Sequence, residues 1–287
     1  MNMYYKFPEQ PNKTKPLIAI TLSVIFTFLI SFLYGIIITF SPFVYINFFI
    51  TVGFGIVIGY VIRIFMKIFT VIDKSIALYT SVICGILGLY FSWVVYILYF
   101  LPDIPLMKAY FSDFYLVFKP LSVFKVIREI NRTGLWSVFG ITFKDWALTF
   151  VWLIEAIIII LVPYLLVKKQ PQAPFSEKLN QWYKKYILFE DFESITMKKE
   201  FCNLLTLNCI ETIESLKKGL AYHHSKVSIF YLENEDAQYI SVENIHTNRD
   251  GKNEISTSII HLLTINTPNA KYLIDKYNGK KAFVFDY

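Results

Sequence analysis

The apolar run from Trp146 to Val167 constrains the fold of this chain more than any other stretch. Its 22 residues contain one charged side chain, the carboxylate of Glu155, and Lys168 and Lys169 follow it directly. A helix of this length spans roughly 33 Å at about 1.5 Å per residue, which is enough to cross a hydrocarbon core of about 30 Å. The run therefore predicts a transmembrane helix, with Trp146 at one membrane interface and the two lysines at the other.

Three further apolar segments precede this run. They predict spans at about 17–40, 43–65 and 76–101, which together with 146–167 make a membrane domain of four transmembrane helices over 17–169. The first segment has 24 residues without a charge and no small-x-small cleavage site after it, so we expect a retained helix instead of a signal peptide. The composition agrees, because hydrophobic residues make up 55% of the chain and charged residues 17%.

Basic residues around these spans predict their orientation. An even number of spans places both termini on one side, and the first hairpin turn on the opposite side is uncharged. The basic residues near the spans on the side of the termini are Lys6, Lys13, Lys15, Arg63, Lys67, Lys74, Lys168 and Lys169. The positive-inside rule then predicts cytoplasmic N- and C-termini, with residues 1–16 as a cytoplasmic tail.

The predicted external connection, residues 102–145, argues against this orientation and is too apolar for a plain loop. It holds six basic residues against four acidic ones, although long loops of mixed charge contribute less to the rule. Two short amphipathic helices are predicted in it, Leu106–Phe118 and Pro120–Ile130, the second with proline at its first position. Their apolar faces comprise Tyr110, Phe111, Phe114, Phe118, Leu121, Phe124 and Ile127. Two interpretations stay open, a lid packed on the bundle and a binding surface.

Small residues at helical spacing predict how the spans pack. Thr51, Gly55 and Gly59 lie along the second span. The corresponding positions of the third span are Ser81, Gly85, Gly88 and Ser92. Small side chains let helix backbones approach closely in lipid, so we predict that spans two and three pack on each other. Packing within one chain is the first expectation, and a homo-oligomer is the alternative.

Glu155 and Arg63 are the charged candidates inside the predicted spans. Glu155 falls close to the bilayer centre, where a carboxylate is costly and by default marks a functional site. Arg63 lies much further along its own helix, so a direct pair between the two is strained. A structural glutamate would instead use a hydroxyl of Thr27, Ser31, Ser92 or Tyr164. A functional one would bind a proton, an ion or a ligand.

The remainder of the chain, residues 170–287, predicts a water-soluble part. Residues 168–287 carry 16 basic and 15 acidic side chains, which gives no electrostatic support for nucleic-acid binding. Apolar residues at helical spacing over 175–189 predict a juxtamembrane amphipathic helix and linker over 170–195. Trp182, Lys184 and Lys185 in that helix are predicted to lie at the membrane interface or to dock on the soluble core.

Residues 196–287 predict a cytoplasmic α+β domain with a mostly antiparallel sheet. The predicted elements are a helix over Lys198–Leu220, strands over Lys226–Leu232, Ala237–Thr247 and Glu254–Asn266, a helix beginning at Thr267, and a final strand over Ala282–Phe285. Cys202 and Cys209 lie on the first helix and are interpreted as small core residues, since residues of one helix two turns apart cannot form a disulfide.

No catalytic constellation, cofactor motif or metal-ligand spacing is predicted in this domain. His223 and His224 are interpreted as following a helix end, where the dipole favours a cation. His246 and His261 could meet across the hairpin around Asp250 and form a weak metal site, although no metal is the first expectation.

Three functional hypotheses follow. The leading one is a multi-pass membrane protein whose cytoplasmic α+β domain binds a protein partner, acting as an anchor, scaffold or sensor without catalysis. The first alternative is a proton- or ion-coupled transporter or channel subunit that uses Glu155. The second is a membrane enzyme acting on lipid at the external face, with Asp103 and Asp113 as acids and Arg128 and Arg132 contacting head groups.

Overall fold

The computed structural model describes residues 3–8, 10, 13–41, 44–100, 119–134, 137–138, 141–169, 173–247 and 254–282. It divides the chain into two compact units. The bundle unit comprises residues 10–169, and the α+β unit joins residues 1–9 to residues 170–287.

Four long helices form the bundle unit, and the predicted membrane bundle is confirmed. They are α1 (Thr14–Phe40), α2 (Val44–Ile68), α3 (Lys74–Phe100) and α5 (Asp145–Lys169). All four are long and apolar enough to cross a membrane. Between α3 and α5 lie the short helix α4 (Pro120–Thr133) and a hairpin of β1 (Ser137–Val138) and β2 (Ile141–Thr142). The chain is therefore a multi-pass membrane protein.

The predicted contact between spans two and three is present but is the smaller part of the helix packing. Helix α1 packs on α2 and α3, and α5 packs on the same two helices, whereas α2 and α3 contact each other less. Gly88 of α3 meets α2, because a Cβ there would lie 3.1 Å from Cδ1 of Ile58, whereas the other glycines of the two stripes meet α5. A Cβ on Gly85 would lie 2.9 Å from Cα of Ile160, and one on Gly59 would lie 3.1 Å from Cα of Pro163. Because glycine has no side chain, α5 can approach α2 and α3 closely at these positions.

Helix α1 turns a stripe of hydroxyls toward the bundle interior. Ser23, Thr27 and Ser31 are fully buried, and each donates to the carbonyl oxygen four residues earlier at 2.7 to 2.8 Å. Ser31 also lies 3.3 Å from the carbonyl oxygen of Gly88 on α3. These hydroxyls are satisfied within lipid-embedded helices, as burial away from water requires.

Helix α4 packs against the bundle through a different face from the predicted one. Val123, Val126 and Ile130 are buried in one cluster with Val94 and Ile97 of α3. The predicted face is only partly involved, because Leu121 and Phe124 are exposed whereas Ile127 contacts the cluster. The helix bounds agree closely with the prediction, with Pro120 in the first turn. The predicted helix Leu106–Phe118 lies outside the described residues.

A five-stranded antiparallel sheet organises the α+β unit, as the sequence predicts. Its strands run in the order β8-β7-β6-β5-β9, and a separate hairpin contains β3 and β4. The strands are β3 (Phe175–Ser176), β4 (Gln181–Trp182), β5 (Lys184–Ile187), β6 (His223–Tyr231), β7 (Ala237–Thr247), β8 (Glu254–Asn266) and β9 (Lys280–Lys281). The helices are α6 (Lys198–Leu207), α7 (Cys209–Glu214) and α8 (Thr267–Lys276). The predicted final strand over Ala282–Phe285 falls almost entirely outside the described residues.

Strand β6 is buried on both faces of this sheet. Val227 and Ile229 belong to the cluster that the helices cover, together with Ile213 of α7. The alternate residue Phe230 belongs to a second cluster with Tyr183, beside the β3–β4 hairpin. A central strand covered on both sides gives a continuous apolar run, which explains the sequence of β6.

The predicted juxtamembrane amphipathic helix over 175–189 is wrong. The segment forms β3, a turn, β4 and β5. Asn180 in the turn has a φ of +50°, a left-handed conformation that interrupts any helix. Trp182, whose ring meets Phe175 edge to face at 5.0 Å, and Tyr186 favour extended structure once β6 offers a pairing edge. The interface role assigned to Trp182, Lys184 and Lys185 rested on that helix, and these residues lie in strands instead.

The predicted helix over Lys198–Leu220 is interrupted at Asn208. This residue is extended, with φ −145° and ψ 91°, and its side chain accepts from the backbone N–H of Glu211 to cap α7. Competition between a side-chain cap and the helical hydrogen bond explains the break. Cys209 is buried in the core, where burial raises the pKa of its thiol to about 12, as expected for an unreactive core residue.

The N-terminal segment extends the sheet of the α+β unit. The backbone N–H of Thr264 donates to Met3 at 2.9 Å, and that of Tyr5 donates to Leu262 at 2.9 Å, so residues 3–5 lie beside β8. The Tyr5 hydroxyl donates to the carbonyl oxygen of Phe175 at 2.9 Å. The predicted tail over 1–16 is therefore divided, since its first residues belong to the soluble unit and α1 begins at Thr14.

Candidate functional site

A cavity of about 500 Å³ lies inside the bundle unit and reaches the turn between α1 and α2. Such a volume lies within the range of small-ligand sites, roughly 300–1,000 Å³. The four long helices all contribute to its wall. The lining residues are Tyr34, Gly35, Ile38, Thr39, Ser41, Asn47, Phe48, Thr51, Ser92, Trp93, Tyr96, Val151, Trp152, Ile154, Glu155 and Ile158.

Glu155 lines this cavity, and its partner is Tyr34, which is not among the predicted partners. The hydroxyl of Tyr34 on α1 donates to Oε1 of Glu155 on α5 at 2.5 Å. The same hydroxyl lies 2.9 Å from Oγ1 of Thr51 on α2. Three helices therefore meet at one polar cluster, the Tyr34–Thr51–Glu155 cluster, at the wall of the cavity.

Packing holds Tyr34 in place. Its ring stacks on Phe54 of α2, with centroids 4.2 Å apart and planes 11° from parallel, and the residue is 4% exposed. Tyr34 continues the buried stripe of Ser23, Thr27 and Ser31, at spacings of four, four and three residues. That periodicity is the sequence signal that would have placed Tyr34 on the inner face of α1.

The hydroxyls predicted to pair with Glu155 do not do so in the described structure. Thr27 and Ser31 donate to backbone carbonyls of α1. Ser92 lines the cavity but donates to the carbonyl oxygen of Leu89 at 2.8 Å. Tyr164 lies near the end of α5, with the ammonium of Lys168 5.9 Å from its ring centroid.

The other charged candidate, Arg63, is not part of the cavity lining. Its guanidinium carbon lies 5.5 Å from the ring centroid of Tyr60 on the same helix. Asp103 and Asp113, the acids of the lipid-enzyme hypothesis, lie outside the described residues. At the ends of α5, Trp146 is 82% exposed and Lys168 and Lys169 occupy the last turn, so their interface role stays a prediction.

Asn47 places a polar atom with no partner beside the Tyr34–Thr51–Glu155 cluster. Its backbone oxygen accepts from Thr51 at 2.8 Å. Its side-chain Oδ1 is buried and, among the described residues, has no hydrogen-bond partner. A buried acceptor without a donor costs free energy of about 1–3 kcal/mol, so such an atom in a cavity wall calls for a ligand or a water.

Aromatic side chains form another part of the wall. Trp93 of α3 and Trp152 of α5 meet edge to face at 4.8 Å, and Tyr96 lies 5.9 Å from Trp93. Both tryptophans also contact the cluster through which α4 packs on the bundle. The cavity therefore combines one carboxylate, several hydroxyls and an amide with a broad aromatic surface.

Histidines of the α+β unit are arranged differently from the prediction. His223 and His246 are directly opposite on β6 and β7, with their Nδ1 atoms 3.0 Å apart, whereas His261 lies on β8 and does not meet His246. His223 and His224 begin a strand and do not follow a helix end. Within the described ranges, no group of three or more His, Cys, Asp or Glu side chains is placed to hold a metal ion.

Comparison with known proteins gives no family. The chain matches no protein-family model, no curated protein and no solved structure. The cavity and its polar cluster are therefore the basis for any functional conclusion.

Proposed function

We propose that this protein is a membrane sensor without catalytic activity. In this proposal a small molecule binds in the bundle cavity beside Glu155, and the α+β unit presents the bound state to a protein partner. The observation that carries the proposal is the cavity itself, with the carboxylate of Glu155 and the buried, unpartnered Oδ1 of Asn47 in its wall. A plain anchor or scaffold has no need of either feature.

Burial of a carboxylate at this depth supports a role beyond packing. An acidic side chain in the middle of a transmembrane helix destabilises insertion by several kcal/mol, so such residues usually face a cavity or a partner. Glu155 does both, because it lines the cavity and accepts from Tyr34. Three helices contribute to that cluster, so a ligand that changes it acts on the packing of the whole bundle.

We also propose that both termini are cytoplasmic. Residues 3–5 pair with β8 of the α+β unit, which supports a common side for the two ends of the chain, as an even number of spans requires. Basic residues flanking the spans on that side support the cytoplasm. Protease accessibility of the α+β unit in sealed inside-out vesicles tests this orientation, and protection there would reverse it.

Site-specific photocrosslinking in the native membrane tests the sensor proposal. A photoreactive residue replaces Leu207, which is 84% exposed on the α+β unit, in the full-length protein. We expect a captured partner whose yield changes severalfold in Glu155→Gln, because the substitution removes the ionisable group of the cavity. Glu129→Gln on α4, outside the cavity lining, is the matched control and leaves the yield unchanged.

Two results would contradict the sensor proposal. An identical capture yield in wild type and Glu155→Gln would show that the cavity does not influence partner binding by the α+β unit. The anchor hypothesis would then remain. Turnover of a lipid, nucleotide or peptide by the purified protein, lost on substitution of its polar residues, would make the protein an enzyme.

Proton- or ion-coupled transport is the second candidate, and the Tyr34–Thr51–Glu155 cluster is the observation that favours it. Linked hydroxyls beside a carboxylate are the groups of a proton relay. The chain of hydroxyls ends at a backbone carbonyl, however, because Thr51 donates to Asn47. The transport hypothesis predicts that Glu155→Gln abolishes flux in proteoliposomes while folding is intact, and unchanged flux rejects it.

A further inference from the structure

Three hydroxyls of the cavity wall already donate to backbone carbonyls. Thr51 donates to the carbonyl oxygen of Asn47 at 2.8 Å, and Thr39 donates to that of Gly35 at 2.9 Å. Ser92 donates to a backbone carbonyl in the same way. Each hydroxyl carries one hydrogen and two lone pairs, so what these groups still offer to a ligand is lone pairs.

Two stronger acceptors lie in the same wall. Oε1 of Glu155 accepts from Tyr34, whereas Oε2 accepts no hydrogen bond from the described residues. Oδ1 of Asn47 is buried and likewise has no donor within the described part of the chain. A ligand that satisfies this wall must therefore bring hydrogen-bond donors.

Glu155 is the acidic side chain of this wall, and its Oε1 lies 2.5 Å from the Tyr34 hydroxyl. A carboxyl group away from water is stable in its ionised form only beside a cation or a set of strong donors. Arg63 does not line this cavity, so a cation that pairs with Glu155 has to come from the ligand.

Aromatic rings supply the second half of the recognition. Trp93, Trp152 and Tyr96 line the same cavity, and the ring of Trp93 meets each of the other two edge to face. Ring faces carry negative charge, so they attract a cation within about 6 Å of the centroid. The same rings cover the apolar body of a ligand without requiring hydrogen bonds.

We infer that the cavity binds a protonated amine that carries an apolar or aromatic body. This inference rests on the proposed function and names the chemical class of its ligand. The ammonium group lies between Glu155 and Oδ1 of Asn47 and donates to both, while the apolar body packs against Trp93 and Trp152. The amide nitrogen of Asn47 and the indole N–H groups are donors, and they accommodate a hydroxyl or ether oxygen on the same molecule.

Binding of three matched probes to the full-length protein in lipid nanodiscs tests this inference. The probes are 2-phenylethylamine, which is protonated at pH 7, its neutral analogue 2-phenylethanol, and the anion phenylacetate. Quenching or shift of tryptophan fluorescence reports binding, since Trp93 and Trp152 line the cavity, and empty nanodiscs correct for partition into lipid. We expect the amine to bind at least about tenfold more tightly than the alcohol and the anion not to bind.

Variants then assign the preference to the carboxylate. Glu155→Gln lowers the affinity for the amine to that for the alcohol, and Glu129→Gln leaves it unchanged. Should Glu155→Gln fail to fold, the ratio of amine to alcohol affinity in the wild-type protein still decides the question, because it requires no variant.

Each outcome separates the ligand class from the proposed function. Equal affinity for amine and alcohol overturns the amine inference but leaves a ligand-binding cavity and hence the sensor proposal. Binding of the amine to Glu155→Gln with wild-type affinity overturns it as well. Absence of any binding also overturns the amine inference, while the sensor proposal is decided separately by the photocrosslinking yield.

Discussion

The two units bury similar kinds of side chain but differ in what they expose. Both have fully buried aliphatic residues, such as Ile159 in the bundle unit and Ile213 in the α+β unit. Both also bury hydroxyls, such as Ser31 in the bundle unit and Ser225 in the α+β unit. The bundle unit in addition exposes many large apolar side chains along its helices, as Phe49 and Leu153 illustrate with 72% and 55% exposure.

The solvent around each unit explains this difference between their surfaces. Water drives apolar side chains into the α+β core, with a gain of about 25 cal/mol per Å² of buried apolar area. Lipid provides no such drive, so the bundle is stabilised by close backbone approach and by hydrogen bonds between helices. Removing volume should therefore damage the α+β unit most, whereas adding volume at a helix contact should damage the bundle.

The largest effect is expected from Ile213→Ala in the α+β unit. Ile213 is 0% exposed and lies in the same cluster as Val227 and Ile229, so truncation leaves a cavity that costs about 2–5 kcal/mol of unfolding free energy. Hydrogen exchange of peptides from β6 in the full-length protein measures this loss. Leu207→Ala is the control, since Leu207 is 84% exposed and its truncation should change stability by less than about 0.5 kcal/mol. Equal losses for the two variants would contradict the assigned core.

Gly85→Leu is the complementary change in the bundle unit. A Cβ at Gly85 meets the backbone of Ile160 at 2.9 Å, so a larger side chain forces α3 and α5 apart at a cost of about 1–3 kcal/mol. The melting temperature in detergent and the elution profile of the purified protein measure the effect. Gly53→Leu makes the same chemical change on α2, where a Cβ meets nothing within 4 Å. If the Gly85→Leu variant is as stable as Gly53→Leu, the close contact between α3 and α5 at Gly85 does not stabilise the bundle.

Sequence patterns predicted the bundle well because the membrane restricts the possible structures. Length and apolar composition suffice to place four spans, since only helices satisfy their backbone within a lipid bilayer without a closed barrel. Glycine stripes also identified contact faces, but a stripe on one helix does not specify which neighbour each glycine meets. Gly88 meets α2 as predicted, whereas Gly85 was assigned to α2 and packs on α5.

Of the candidate site, the sequence predicted Glu155 and missed its surroundings. A lone carboxylate in an apolar run is conspicuous, whereas Tyr34 is one of 20 tyrosines and differs only by its position on the inner face of α1. Asn47 lies near the start of α2, where a polar residue looks like a normal helix end. The cavity itself depends on how four helices diverge, which no pattern within one helix encodes.

The α+β unit shows where helical periodicity misleads. Phe175, Leu179, Trp182 and Tyr186 fit a helix period, yet the segment forms strands because Asn180 turns the chain and β6 supplies hydrogen bonds. Local pattern and tertiary pairing disagree there, and pairing determines the structure. Strands β7 and β8, which have clear turn residues between them, were predicted at their observed bounds.

Tyr5→Phe tests whether the N-terminal segment belongs to the α+β unit. The hydroxyl of Tyr5 donates to the carbonyl oxygen of Phe175 and accepts from its N–H, both at 2.9 Å. Removing it leaves both backbone groups without this partner, and we expect a loss of about 1–2 kcal/mol in the exchange free energy of β3 and β8. Burial raises the pKa of Tyr5 to about 12, so the loss should be the same between pH 6 and pH 9. Phe7→Leu, which keeps these two hydrogen bonds, is the control. Equal exchange in the two variants would contradict the assignment of the N-terminal segment to the α+β unit.

The smallest effect is expected at an exposed ion pair of the α+β unit. Lys276 Nζ lies 2.5 Å from Oε1 of Glu214, and the Tyr272 hydroxyl donates to the same oxygen at 2.8 Å. The hydrogen bond from Lys276, followed by that from Tyr272, lowers the pKa of Glu214 below its ordinary value of 4.5. A carboxyl whose pKa is lowered on folding stabilises the fold above its unfolded pKa.

Glu214→Gln therefore has a defined pH dependence. The stabilisation is fully present above pH 4.5 and disappears as the pH falls through the lower folded value, so wild type and variant should differ slightly at pH 7 and converge at low pH. Solvent screens an exposed pair, and high salt should reduce the difference further. Hydrogen exchange of α8 at several pH values measures the difference between wild type and Glu214→Gln. Glu211→Gln is the control, because Glu211 lies on the same helix as Glu214, α7. A difference that grows on acidification would contradict the lowered pKa of Glu214, and equal exchange at every pH would leave the stability of α8 to packing of residues such as Leu273 and Ala270.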